Sequence, residues 1–233
     1  VSVQALTGGG RRPKPGEISL ATGGILFIDE FPEFSRAALE TLRQPLEERE
    51  VTVSRVEASV TYPANFQLVA AMNPCPCGHF PDRSRCRCTD GQITRYLQKV
   101  SGPMLDRIDI CVEASPITYG DIRSSGNNES SREIRARVEQ ARKIQGERFA
   151  GENIRCNGEM SGRHIRKFCW LGREEEKFME EIFKKLALSA RMHDRILKVA
   201  RTTADLAEEE KIRLADLCEA VSYVKSRDKF WGN

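Results

Sequence analysis

The run Gly24-Ile25-Leu26-Phe27-Ile28-Asp29-Glu30 constrains this chain more than any other stretch. Four apolar residues lead straight into two adjacent carboxylates, and Phe31-Pro32 ends the run. A short continuous apolar run bounded by Gly and Pro reads as a strand buried on both faces, as in the middle of a parallel sheet. Folding alone does not ask for Asp29 and Glu30 at its carboxyl end. In open α/β sheets that end is where ligands sit, and paired acids there can hold a magnesium ion and polarise a water. Taken alone, the run is equally a strand that closes in a solvated acidic turn.

The 233 residues allow one large domain or two modest ones. Hydrophobic content of 39% and charged content of 30% fit an ordinary globular protein on the polar side. A formal net charge of +3 is too small to argue for nucleic acid by itself. No apolar run approaches membrane-spanning length and the N-terminus carries no signal-peptide pattern, so the expected location is cytoplasmic, with no membrane partner. Of eight cysteines, Cys75, Cys77, Cys86 and Cys88 crowd into one short loop. Without a secretion signal, such clustering favours metal over disulfides. Two Cys-x-Cys pairs can present four thiolates to one zinc, with His79 as a spare ligand; a reduced, metal-free loop is the alternative. Arg83, Arg85 and Arg87 make that loop basic enough to meet a nucleic-acid backbone.

Along the chain, Val1 to Thr22 is polar and glycine-rich, with Arg11, Arg12 and Lys14 interleaved with Pro13 and Pro15. It lacks the Gly-x-x-x-x-Gly-Lys-Ser/Thr spacing of a phosphate loop, and its prolines remove backbone donors; it reads as a mobile basic loop. Gly158 to Gly162 fails the same test. Ser35 is placed to cap an amphipathic helix through Ala37, Ala38, Leu39, Leu42 and Leu46, with Pro45 disturbing its last turn. Near-alternation in Val51–Tyr62, broken at Glu57-Ala58, predicts a β-hairpin with Arg55 near its turn. Phe66 to Met72 is a second buried-type strand ending in Asn73-Pro74. Asn73 there can orient an attacking water or simply form a turn before proline. Arg107 precedes a third apolar strand, Ile108 to Val112, where it either protrudes from the sheet edge or is satisfied by Asp106 and Asp109. Beyond Ser115 the chain turns helical: a charged helix over Ser131–Phe149, then a small bundle from Arg163 to Lys225. Ser189 caps one bundle helix, and Arg191 in its first turn opposes the helix dipole, either as a site for an external anion or as a solvated charge.

These signals form one succession, and it resembles the AAA+ ATPases of the helix-2-insert group. Within them it is similar to the magnesium-chelatase I-subunit-like proteins and their ComM/YifB branch. The residues that carry the likeness are Pro15 to Ala21, Gly24 to Glu33, Leu42 to Glu47, the Val51–Tyr62 hairpin, Ala71 to Gly78, Ser101 to Arg107, Ser189-Ala190-Arg191 and Arg195-Ile196-Leu197. The resemblance implies an α/β fold: a partial P-loop (AAA+) αβα core with a parallel sheet and hairpin insert, then an all-α lid. It implies that 1–120 is the C-terminal part of the core, from Walker B to arginine finger. Residues 121–160 would be a connecting loop and long helix, and 161–233 the helical lid.

The resemblance also implies roles. Asp29 would hold Mg2+ and Glu30 would polarise the hydrolytic water. Asn73 would be sensor 1, Arg107 the arginine finger acting on a neighbouring subunit's ATP, and Arg191 the sensor-2 arginine, with Arg195 the runner-up. The hairpin would face the central pore of a homo-hexameric ring, with Arg55 touching the substrate. Walker A, with its phosphate-binding Lys, should lie upstream of Val1, so the chain looks like a C-terminal fragment, inactive alone, whose sheet lacks strands and exposes an edge. Three functions follow as expectations. One is an ATP- and Mg2+-dependent hexameric motor on DNA, a branch-migration helicase serving recombination and natural transformation. Another is a chelatase-like or protein-remodelling ATPase with a protein partner. The third is a non-enzymatic, zinc-bearing scaffold module.

Overall fold

The computed structural model of the protein describes residues 2–10, 13–54, 58–115, 117, 119–123 and 129–231, with the backbone alone at 121 and 122. The chain divides into two compact units, Val1–Ile108 with Phe230–Asn233, and Asp109–Lys229.

The first unit opens with α1 (Val3–Thr7), capped by the Ser2 hydroxyl, which accepts from the Ala5 amide at 3.2 Å. A two-residue antiparallel pair, β1 (Gly8–Gly9) with β2 (Lys14–Pro15), leads into α2 (Glu17–Leu20). Leu6 and Ile18, on either side of the glycine- and arginine-bearing loop, are core residues. The glycines have a packing reason, since a Cβ on Gly8 would stand 2.1 Å from the Lys14 carbonyl oxygen and one on Gly16 2.3 Å from the Gly8 nitrogen. Arg11 and Arg12 lie outside the described residues.

The acidic run forms β3 (Ile25–Ile28). Ser35 caps α3 (Arg36–Glu40), accepting from the Ala38 amide. The expected single helix is two, because the chain resets at Thr41–Leu42 and α4 (Arg43–Glu48) begins with Pro45 in its first turn. There the missing N–H costs nothing. The hairpin is present as β4 (Glu50–Ser54) and β5 (Ser59–Pro63), paired antiparallel with Val53 opposite Val60. β6 (Gln67–Ala70) returns parallel to β3, with Ile25 opposite Gln67 and Ile28 opposite Ala70. α5 (Asp90–Leu97), closed by a Thr89–Gln92 capping box, and α6 (Gly102–Leu105) complete the unit. Ile28, Phe31, Leu39, Leu42, Val51 and Met104 form its core.

Two strand expectations are corrected. β3 is not buried on both faces: Leu26 and Ile28 point into the core, but Ile25 and Phe27 are 62% and 61% exposed. Among the described residues the parallel sheet has only two strands, so nothing covers that face. Residues 108–112 form no strand either. They have the apolar content of one but no ladder partner among the described residues, and Ile110 and Val112 are exposed.

The second unit is helical. After α7 (Tyr119–Arg123), α8 (Ser131–Arg148) starts from a Ser130–Glu133 capping box. α9 (Gly162–Phe168), α10 (Arg173–Lys185), α11 (Ala190–Leu206) and α12 (Leu214–Trp231) follow. Ser189 caps α11, accepting from the Met192 amide. Met179, Ile182, Ile196, Leu197, Leu217 and Val221 meet in one core. A buried polar knot crosses it: Arg148 donates to both carboxylate oxygens of Asp205, Asn157 donates to the same carboxylate at 2.7 Å, and Arg201 Nε does so at 3.1 Å. A parallel sheet with a hairpin insert, followed by a helical bundle, is the architecture of a partial AAA+ core and its lid.

Candidate active site

The parallel pairing of β3 and β6 positions the first site. The Ile28 carbonyl accepts from Ala71 N at 2.9 Å, and the Ala71 carbonyl accepts from Phe31 N at 3.0 Å. These bonds carry the ladder past the last strand residues, so Asp29, Glu30 and Asn73 leave the same carboxyl end of two adjacent strands. All three are exposed. Asp29 Oδ1 accepts from the Glu30 amide at 2.8 Å, fixing the acidic turn. Glu30 lies in the left-handed region, φ 50° and ψ 43°, which costs a residue other than glycine energy and recurs at functional sites. A carboxylate at an exposed strand end is a hard oxygen donor that suits Mg2+, which retains several waters and takes few protein ligands. The acids therefore fit the metal.

Arg107 does not protrude. Its side chain is 11% exposed and ion-paired with Glu47 of α4 at 2.5 Å, while Nη1 donates to the Pro103 carbonyl at 2.5 Å. Its Nε is buried without a hydrogen-bond partner. Glu47 was not anticipated, because nothing local in sequence links positions 47 and 107. Arg55 lies outside the described residues.

In the helical unit a cavity of about 340 Å³ is lined by Arg191, Arg195 and Lys198 of α11 together with Asp109, Asp194 and Gly158. The three cations follow i, i+4, i+7 spacing and so share one helix face; that spacing was the signal that could have added Lys198 to the two arginines. Arg191 is exposed, whereas Arg195 is buried and its Nε pairs with Asp109 at 2.8 Å. Lys198 donates to the Gly158 carbonyl at 3.3 Å, and burial pulls its pKa down against the opposing pull of Asp109 and Asp194.

The four clustered thiols come together. Cys75 Sγ lies 3.4 Å from Cys77 Sγ and 3.8 Å from Cys86 Sγ, Cys77 and Cys86 are 3.6 Å apart, and all four sulfurs, Cys88 included, fall within 4.8 Å of one another. They are free thiols and the only such group of potential metal ligands among the described residues; His79 does not join it. The backbone N–H groups of His79 and Arg87 pull the Cys77 thiol down to about 6. The neighbouring Cys77 sulfur pushes Cys88 up to about 12.

Comparison with known proteins bears on the family of the chain. A family model described as magnesium chelatase, subunit ChlI, matches residues 1–122, and one for the ChlI C-terminal region matches residues 128–224. The chain is 47% identical over 223 residues to the competence protein ComM of Haemophilus influenzae and 46% identical over 224 residues to YifB of Escherichia coli. Each alignment covers 95% of this chain and 43% of the relative, so the chain spans less than half the length of those proteins. A magnesium-chelatase 67 kDa subunit of Heliobacterium mobile is 28% identical over 144 residues, covering 60% of this chain and 20% of that subunit. On the strength of both family matches, the chain belongs to the magnesium-chelatase subunit ChlI family, in its ComM/YifB-like branch.

Proposed function

We propose that this chain supplies the hydrolytic acids, the sensors and the arginine finger of a Mg2+-dependent AAA+ ATPase that works as a hexameric ring on DNA, as a branch-migration motor of the ComM kind. The observation that carries the reading is the exit of Asp29, Glu30 and Asn73 from one end of two paired parallel strands. Bound ATP and Mg2+ would supply the phosphoryl group and neutralise its charge. On the chain's side, Asp29 holds the metal, Glu30 takes up the proton of the attacking water, and the Asn73 amide orients that water. Arg107, released from Glu47, reaches a neighbouring subunit's nucleotide, which ties hydrolysis to ring assembly. Arg191 and Arg195, with Lys198, offer positive charge to an anion from the lid. Arg55 grips the nucleic-acid backbone.

The test uses the full-length protein. Glu30→Gln should leave ATP binding intact and lower turnover at least about 100-fold, the range of a lost general base; turnover within a few-fold of wild type overturns the assignment. Arg55→Glu should weaken salt-dependent DNA binding, and unchanged affinity removes the hairpin from the interface. The 233-residue chain alone, which holds no Gly-x-x-x-x-Gly-Lys-Ser/Thr loop, should show no ATPase. The likeness to a chelatase subunit favours a second reading, a chelatase-like ATPase, for which we propose a protein client. ATPase stimulated by that client and indifferent to DNA would select it.

A further inference from the structure

The proposed hydrolysis leaves the four thiols of the 75–88 loop unused, yet their arrangement is specific. Four sulfurs about 2.3 Å from a tetrahedral zinc stand about 3.8 Å from one another. The separations of 3.4, 3.6 and 3.8 Å among Cys75, Cys77 and Cys86 match those edges. They are too long for a disulfide, whose sulfurs approach to about 2.05 Å, and disulfides form pairs rather than a cluster of four.

The surroundings fit a thiolate site. The Phe80 amide donates to Cys75 Sγ at 3.4 Å. Such N–H···S bonds orient and stabilise metal-bound thiolates. Arg83 donates to the Cys88 carbonyl at 3.3 Å, lies over the Phe80 ring and pairs with Asp90 in the first turn of α5, which ties the cysteine loop to that helix. Cys75 is fully buried beside Ile93, Tyr96 and Leu97, so the cluster is anchored on α5 rather than hanging in solvent.

We propose that Cys75, Cys77, Cys86 and Cys88 bind one structural Zn2+, and that the metal, by closing this loop, positions the Asn73 side chain at the end of β6. Binding forms four Zn–S bonds and releases the remaining thiol protons to solvent, with no change of oxidation state. The link to Asn73 is direct. Gly78, at the turn between the two cysteine pairs, sits at φ +79°, and a Cβ there would lie 3.7 Å from both Cγ and Oδ1 of Asn73. The turn that the metal would close therefore passes beside the Asn73 side chain. Asn73 is also joined to the ligand Cys75 through Pro74 alone, a residue with a fixed φ. The zinc half stands independently, while the catalytic meaning of positioning Asn73 rests on the proposed ATPase reading.

The experiment measures metal and geometry separately from activity. Zinc-replete protein, dialysed without chelator, should carry roughly one zinc per chain by mass spectrometry, as a closed site of four cysteine ligands requires. An organomercurial should release that zinc to a metallochromic dye, a readout that does not depend on a cysteine variant folding. Cys77→Ser and Cys88→Ser should each lower zinc content by more than half. Zinc far below one per chain, or iron in its place, overturns the metal assignment. In the zinc-loaded chain, the side-chain amide resonance of Asn73 should shift when zinc is withdrawn, while that of Asn157 in the helical unit stays in place. Gly78→Ala should keep the zinc yet move the Asn73 resonance, a result that mere loop stability does not produce. An unmoved Asn73 signal in that variant overturns the positioning role. A full-length protein without ATPase, but with zinc and the Asn73 shift intact, would defeat the proposed function and leave this inference standing.

Discussion

Asp205 is fully buried, and three neighbours converge on its two oxygens: Arg148, Asn157 and Arg201. Breaking such a knot from one side leaves buried guanidinium groups without their counter-charge, which costs far more than the knot adds over an apolar core. Asp205→Ala should therefore destabilise the helical unit by about 3–5 kcal/mol, read from the denaturant midpoint of its far-UV signal; a loss under about 1 kcal/mol contradicts this account. Arg107 teaches the complementary lesson. Its sequence neighbours Asp106 and Asp109 were candidate partners, but its ion pair is to Glu47, brought close by the fold. Asp109 instead holds Arg195. The chemistry of these residues was legible from type and position, but their partners were not, because ion pairing is decided by tertiary contacts that local spacing does not encode.

Among the elements, β3, the hairpin, β6 and the Ser35 and Ser189 caps were readable because each has a local cause: a bounded apolar run, period-two alternation, or a side-chain oxygen aimed at an N3 amide. The stretch 108–112 has the same apolar signature without the strand, since a ladder needs a partner that no local pattern supplies. The glycines of the first twenty residues suggested looseness, yet two of them are sites of close backbone approach. Gly8 has φ +97°, and its absent Cβ would meet the Lys14 carbonyl oxygen. Gly8→Ala should cost at least about 1 kcal/mol, because strain in the left-handed region adds to the clash; unfolding titrations should show it, and an unchanged midpoint argues against the packing role. Substitution at Gly91, whose Cβ would meet nothing within 4 Å, is the matched control.

For the whole molecule, the exposed face of β3 sets the behaviour of the chain in solution. Ile25 and Phe27 present apolar surface next to strand edges that are unpaired among the described residues, a template for unwanted pairing. Ile25→Thr with Phe27→Thr should reduce concentration-dependent association in sedimentation velocity while keeping the melting temperature within a few degrees, since neither side chain is in the core; unchanged association would place the sticky surface elsewhere. The same pair of strands governs the time course of folding. Ile25 must find Gln67 across two helices and a hairpin, whereas Ser54 meets Ser59 almost at once. Distant parallel pairing pays its loop-closure entropy before any ladder forms. Pulse-labelled hydrogen exchange during refolding should therefore protect the hairpin amides before those of Ile25–Ile28, and the reverse order would contradict it. The acidic turn would then be the last part of its unit to acquire shape, assembled only when the two halves of the sheet have met.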